Sequence, residues 1–83
     1  MEKSIYTPEQ KHLQDLLRKA RIEAGLTQVQ LAEKLDTLQA TVSNYETGER
    51  RLDLIELCQV LDAIGVPLQE FVDRFEKATS RSQ

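Results

Sequence analysis

The chain has one cysteine, no tryptophan, and no apolar run near the roughly 20 residues needed to span a bilayer. A lone Cys58 excludes an internal disulfide and any multi-cysteine zinc site, and it reads as a small core residue of a protein in a reducing, cytoplasmic setting. Four aromatic residues (Tyr6, Tyr45, Phe71 and Phe75) are too few for a stacking platform for single-stranded nucleic acid. Met1-Glu2-Lys3-Ser4 lacks the apolar core of a secretory signal. His12 has no Cys or His partner at metal-ligand spacing. No paired carboxylates, nucleophile–base set or phosphate-cradling glycine loop stand out. These absences point to a non-enzyme with no metal and no cofactor, and with no membrane as partner.

What is present fits one small domain of 83 residues. The net charge of −3 is unevenly spread. Residues 8–51 balance seven Lys/Arg against seven Asp/Glu, whereas residues 52–83 hold three against six. The second segment therefore carries the excess acid, and its acidic residues read as a solvated face.

The apolar pattern is helical throughout, with no alternating strand pattern and no internal repeat. Residues 1–6 read as a flexible N-terminus. Thr7-Pro8-Glu9-Gln10 then opens a helix with an N-cap, a first-turn proline and a capping-box glutamine. Leu13, Leu16, Leu17, Ala20 and Ala24 form its inner stripe, and Gly25 ends it. Thr27-Gln28-Val29-Gln30 repeats the capping box and starts a helix of about two turns through Val29, Leu31, Ala32 and Leu35. Asp36-Thr37-Leu38 breaks the chain. A third helix follows over Gln39–Thr47, with Val42 and Tyr45 facing inward and Gly48 as its stop. Asp53-Leu54-Ile55-Glu56 caps a fourth helix, with Leu54, Leu57, Cys58, Leu61 and Ile64 inside and Gly65 at its end. Pro67 begins a fifth, in which Leu68, Phe71, Val72 and Phe75 share one face. The domain spans residues 7–77, and residues 78–83 read as a flexible tail.

Two short helices joined by a tight turn describe a helix-turn-helix, whose second helix enters the major groove of double-stranded DNA. The runs Leu17-Arg18-Lys19-Ala20-Arg21-Ile22-Glu23-Ala24-Gly25-Leu26-Thr27-Gln28 and Gln39-Ala40-Thr41-Val42-Ser43-Asn44-Tyr45-Glu46-Thr47-Gly48 resemble the phage-repressor type of this motif, the Cro/cI-like or XRE family. Leu57 through Phe71, with Ala63-Ile64-Gly65-Val66 inside, is similar to that family's fourth and fifth helices. The resemblance covers about residues 12–72. It implies an all-α, five-helix, repressor-like domain and a sequence-specific transcription regulator.

The residues of the third helix suit that role. Gln39 and Asn44 can bond adenine N6 and N7, Ala40 can pack on a thymine methyl, and Thr41 and Ser43 can reach phosphate or base. Gln28 opens the second helix, where backbone N–H groups and a side-chain amide can meet a phosphate. The resemblance implies that Arg21 pairs with Glu46 and touches a phosphate, and that Arg50 and Arg51 lie along the DNA backbone. Arg18 and Lys19 can add to the field.

The chain departs from the family at two places. Asp36 stands where the turn usually has glycine, and Leu38 stands where the third helix usually has a Ser or Thr cap. Either Thr37 caps one residue early, or Asp36 caps with Gln39 as its partner.

The resemblance implies a homodimer on two half-sites one helical turn apart, and Leu68, Phe71, Val72 and Phe75 are the candidate interface. The rival reading is a protein–protein interaction module, such as an antitoxin bound to a toxin, in which DNA contact is secondary. The acidic balance favours that rival, and the polar residues of the third helix favour DNA.

Overall fold

A computed structural model describes residues 7–79 as five α-helices, with no strand among those residues. They are α1 (Pro8–Glu23), α2 (Gln28–Lys34), α3 (Gln39–Thr47), α4 (Leu54–Ile64) and α5 (Leu68–Thr79). The expected flexible ends at 1–6 and 80–83 lie outside the described residues. Ala78 and Thr79, read above as the start of the tail, form the last turn of α5.

Local chemistry explains most helix boundaries. The Thr7 hydroxyl accepts from Gln10 N–H at 3.1 Å, and Pro8 opens α1. Full capping boxes start α2 (Thr27 with Gln30) and α4 (Asp53 with Glu56). Gly48 and Gly65 end α3 and α4 in left-handed geometry. The α2–α3 turn has Asp36 at φ 56°, the left-handed conformation for which Asp substitutes tolerably for Gly.

The core gathers Leu17 and Ala20 of α1, Leu31 and Ala32 of α2, Val42 and Tyr45 of α3, Val60, Leu61 and Ile64 of α4, and Phe71 of α5. Phe71, Leu31, Leu61 and Val42 are the largest fully buried side chains, each contributing about 1.5–3 kcal/mol relative to exposure. α2 packs on α3 and α4, and α1 packs on α3 and α5.

Five positions differ from the sequence pattern. Ala24 is exposed because it is the C-cap of α1 and lies past the packed stripe. Val29, in the first turn of α2, is 48% exposed, since Leu31 and Ala32 form that helix's inner face. On α4, Leu54 is 64% exposed and Val60 takes the inner position. The packed line runs Leu57, Val60, Leu61 and Ile64, so the first residue of the helix projects beyond the core. Cys58 is half-buried at the side of that line.

Gly48 does two jobs. Its φ of 91° disfavours any side chain, and a Cβ there would lie 2.3 Å from the Gln14 side-chain nitrogen. Gln14 is itself buried, so α1 and the end of α3 touch without a spacer. Gly48→Ala is expected to cost about 1–3 kcal/mol from left-handed strain and displacement of Gln14. Urea unfolding with an unchanged midpoint would contradict this.

Candidate nucleic-acid interface

The site is built around a buried ion pair between α1 and α3. Arg21 is 8% exposed and Glu46 is 7% exposed. Arg21 Nε donates to Glu46 Oε2 at 2.7 Å, and its Nη2 donates to Oε1 at 3.1 Å. Nη1 donates to the Leu26 carbonyl at 2.8 Å, which ties the α1–α2 loop to the same centre. Three of the fork's five N–H groups are thus used inside the protein.

The chain of bonds continues to the surface. Gln28 Nε2 donates to Glu46 Oε1 at 3.0 Å, and Gln28 Oε1 accepts from Gln39 Nε2 at 3.1 Å. Arg21, Glu46, Gln28 and Gln39 therefore link α1, the last turn of α3, the first residue of α2 and the first residue of α3. Gln39 keeps its Oε1 and one Nε2 hydrogen for other partners, the two atoms an adenine edge requires.

The exposed side of α3 follows from its buried side. Val42, Tyr45 and Glu46 point inward. At about 100° per residue, Ala40, Ser43, Asn44 and Thr47 point the other way, with Gln39 and Thr41 flanking them. Ala40, Gln39 and Thr47 are exposed, and Thr41, Ser43 and Asn44 are half-buried. Among the described residues, the Ser43 hydroxyl and the Asn44 amide have no protein partner. The Thr41 hydroxyl accepts from Thr37 Oγ1 at 3.2 Å. Glu46 is the one charged residue of α3, and it is buried against Arg21, so the exposed face of α3 is uncharged.

Thr47 is missing from the sequence-based candidates. It lies three and four residues beyond Asn44 and Ser43 on the same face, and that helical spacing was the signal. Its hydroxyl bonds back to the Ser43 carbonyl at 3.0 Å.

Neither alternative for capping α3 occurs. Leu38 is the N-cap, and α3 has no side-chain cap bond. Thr37 and Gln39 are engaged with Thr41 and Gln28 instead.

The two arginines after α3 differ. Arg50 Nη2 lies 2.5 Å from Glu56 Oε2, and the same Glu56 side chain accepts from Asp53 N–H in the α4 cap. This exposed pair is worth about 0–1 kcal/mol, little enough for a phosphate to compete with it. Arg51 is exposed and has no partner among the described residues. Behind them, Tyr45 is core, and its buried hydroxyl has no hydrogen-bond partner. Burial, then the nearby Glu46 charge, raises its pKa well above the ordinary tyrosine value, so it stays protonated. It lines a cleft of about 250 Å³ with Thr41, Arg50 and Glu56. No group of His, Cys, Asp and Glu among the described residues is arranged to hold a metal ion, and no described helix is long and apolar enough to cross a membrane.

A tight turn between two packed helices, the second presenting an uncharged polar face, defines a helix-turn-helix. The family model described as helix-turn-helix matches residues 17–71, and the chain belongs to that family, in its XRE type. Its members are DNA-binding transcription regulators. Two crystal structures of mutants of the restriction–modification controller protein C.Esp1396I share the fold. One has a TM-score of 0.83 at 24% identity, covering 90% of this chain and 100% of its own. The other has a TM-score of 0.81 at 22% identity, covering 93% and 98%. No curated protein matches the chain.

Glu46→Ala leaves the Arg21 charge buried without its partner and frees Gln28. The expected loss is about 3–5 kcal/mol of folding stability, measured by urea unfolding. A loss below about 1 kcal/mol would show that the pair is dispensable.

Proposed function

We propose that this protein is a sequence-specific transcription regulator that binds a two-fold operator as a homodimer, with α3 in the major groove. The observation that carries this reading is the uncharged, polar face of α3, held by the bonds from Arg21 through Glu46 and Gln28 to Gln39. Asn44 and Gln39 read base edges, with Ala40, Thr41 and Ser43 beside them. Gln28, Arg50 and Arg51 meet phosphates. Arg21 acts mainly by positioning α3, since its fork is largely spent inside the protein.

The rest of α3 is neutral, so affinity for arbitrary DNA is low and base contacts carry an unusual share of the binding. Asn44→Ala is expected to weaken binding to the cognate duplex by about 1–3 kcal/mol and to leave random-sequence binding and its salt dependence unchanged. Equal weakening on all sequences would remove Asn44 from the base readers. Selection from a random duplex pool supplies the cognate site. No enrichment even at low salt would favour the interaction-module reading instead.

The dimer face is revised by burial. Phe71 is 2% exposed and belongs to the core, so it supports the interface from behind. Leu68 is exposed, and Val72 and Phe75 are half-buried, leaving these three to meet a second copy. Leu68→Asp is expected to shift sedimentation toward the monomer and to lower affinity for a two-fold site at least about tenfold. A wild-type protein that sediments as a monomer at high concentration, with and without duplex, would overturn the dimer.

A further inference from the structure

Among the described residues, Leu38 is the most exposed large hydrophobic one, at 74%. It occupies the N-cap of α3, where Ser, Thr, Asp or Asn would bond the free N–H groups of the first turn. No side-chain cap bond replaces that loss. The position thus carries two disadvantages, a missed cap and an apolar side chain in water. Packing does not explain it: Leu38 is absent from the core and from the residues packed against it. Nor do its chain neighbours make an apolar patch, because Asp36, Thr37, Gln39 and Ala40 are all exposed and three of them are polar.

Its place in the fold does offer an explanation. Leu38 directly precedes Gln39, whose amide is held by Gln28 at the leading end of α3. That end is the part of the helix nearest base edges in a docked helix-turn-helix. The apolar feature there is the thymine C5-methyl group, which in the major groove distinguishes T·A from the other pairs. An isobutyl side chain beside a methyl group excludes water from both and makes no demand for a hydrogen bond. We propose that Leu38 is a specificity-determining residue that selects a thymine next to the base pair read by Gln39. This rests on the DNA-binding reading above.

The test uses the full chain and duplexes enriched from a random pool, selected in parallel with wild type and Leu38→Ser. Each thymine of the wild-type site is then replaced by uracil, which removes only the methyl group. One replacement is expected to weaken wild type about three- to fivefold, in line with burial of a single methyl. The same replacement should leave Leu38→Ser within about twofold. Leu38→Ser should also melt about 4–8 °C higher, because serine caps α3. Higher stability with lost thymine preference is an outcome that a merely structural leucine cannot produce. A selected site at which uracil affects both proteins alike would overturn the inference and leave the DNA reading standing. Absence of any enriched site would overturn both.

Discussion

The Arg21–Glu46 pair fixes where α3 sits against α1, on a helix that also packs on α2. Only Val42 and Tyr45 anchor that helix in the apolar core. Its N-terminus lacks a side-chain cap, and its turn contains a residue at positive φ. Hydrophobic burial is non-directional, so two apolar anchors alone would let the helix roll or slide by a fraction of a turn. A bidentate guanidinium–carboxylate contact has a narrow geometry. Its net stabilisation is modest because two charges must leave water, but the cost of a misplaced α3, with either charge unpaired, is high. The pair thus sets the rotation of α3 more than it raises overall stability.

From that centre the same carboxylate organises the surface. Glu46 Oε1 accepts from both Arg21 and Gln28, and Gln28 orients Gln39. A buried charge pair is thereby connected, through the Gln28 amide, to Gln39 at the leading end of α3. Preorganised amides lose less rotamer freedom on binding than free ones, which favours specificity over raw affinity. The charge distribution agrees. The only charge on α3 is internally neutralised, and the excess of acid falls in residues 52–83, where Asp53, Asp62, Glu70 and Asp73 are exposed on or at the start of α4 and α5.

Much of this arrangement was legible in the sequence because it depends on local chemistry. Capping residues, Pro8 and the glycines marked the helix ends, and α3 falls at Gln39–Thr47 as its pattern required. Asp36 in the turn adopts the left-handed conformation that its type permits. What was misread depends on neighbours. Periodicity placed Leu54 inside and overlooked Val60, since a helical stripe shows which side is apolar but not how far along it another helix reaches. Phe71 looked available for a second copy until α5 packed on α1.

The sequence by itself determined the five helices, their stops and the polar character of α3, because caps, φ preferences and 3.6-residue periodicity act within a few residues of one another. It did not determine which of several amides and charges would meet. Arg50 could have remained free but lies against Glu56, and Gln39 could have capped its helix but bonds Gln28. Those choices belong to the tertiary structure, since they depend on how closely packing brings residues 6 to 25 positions apart in the chain, and contact distance is invisible to local propensity.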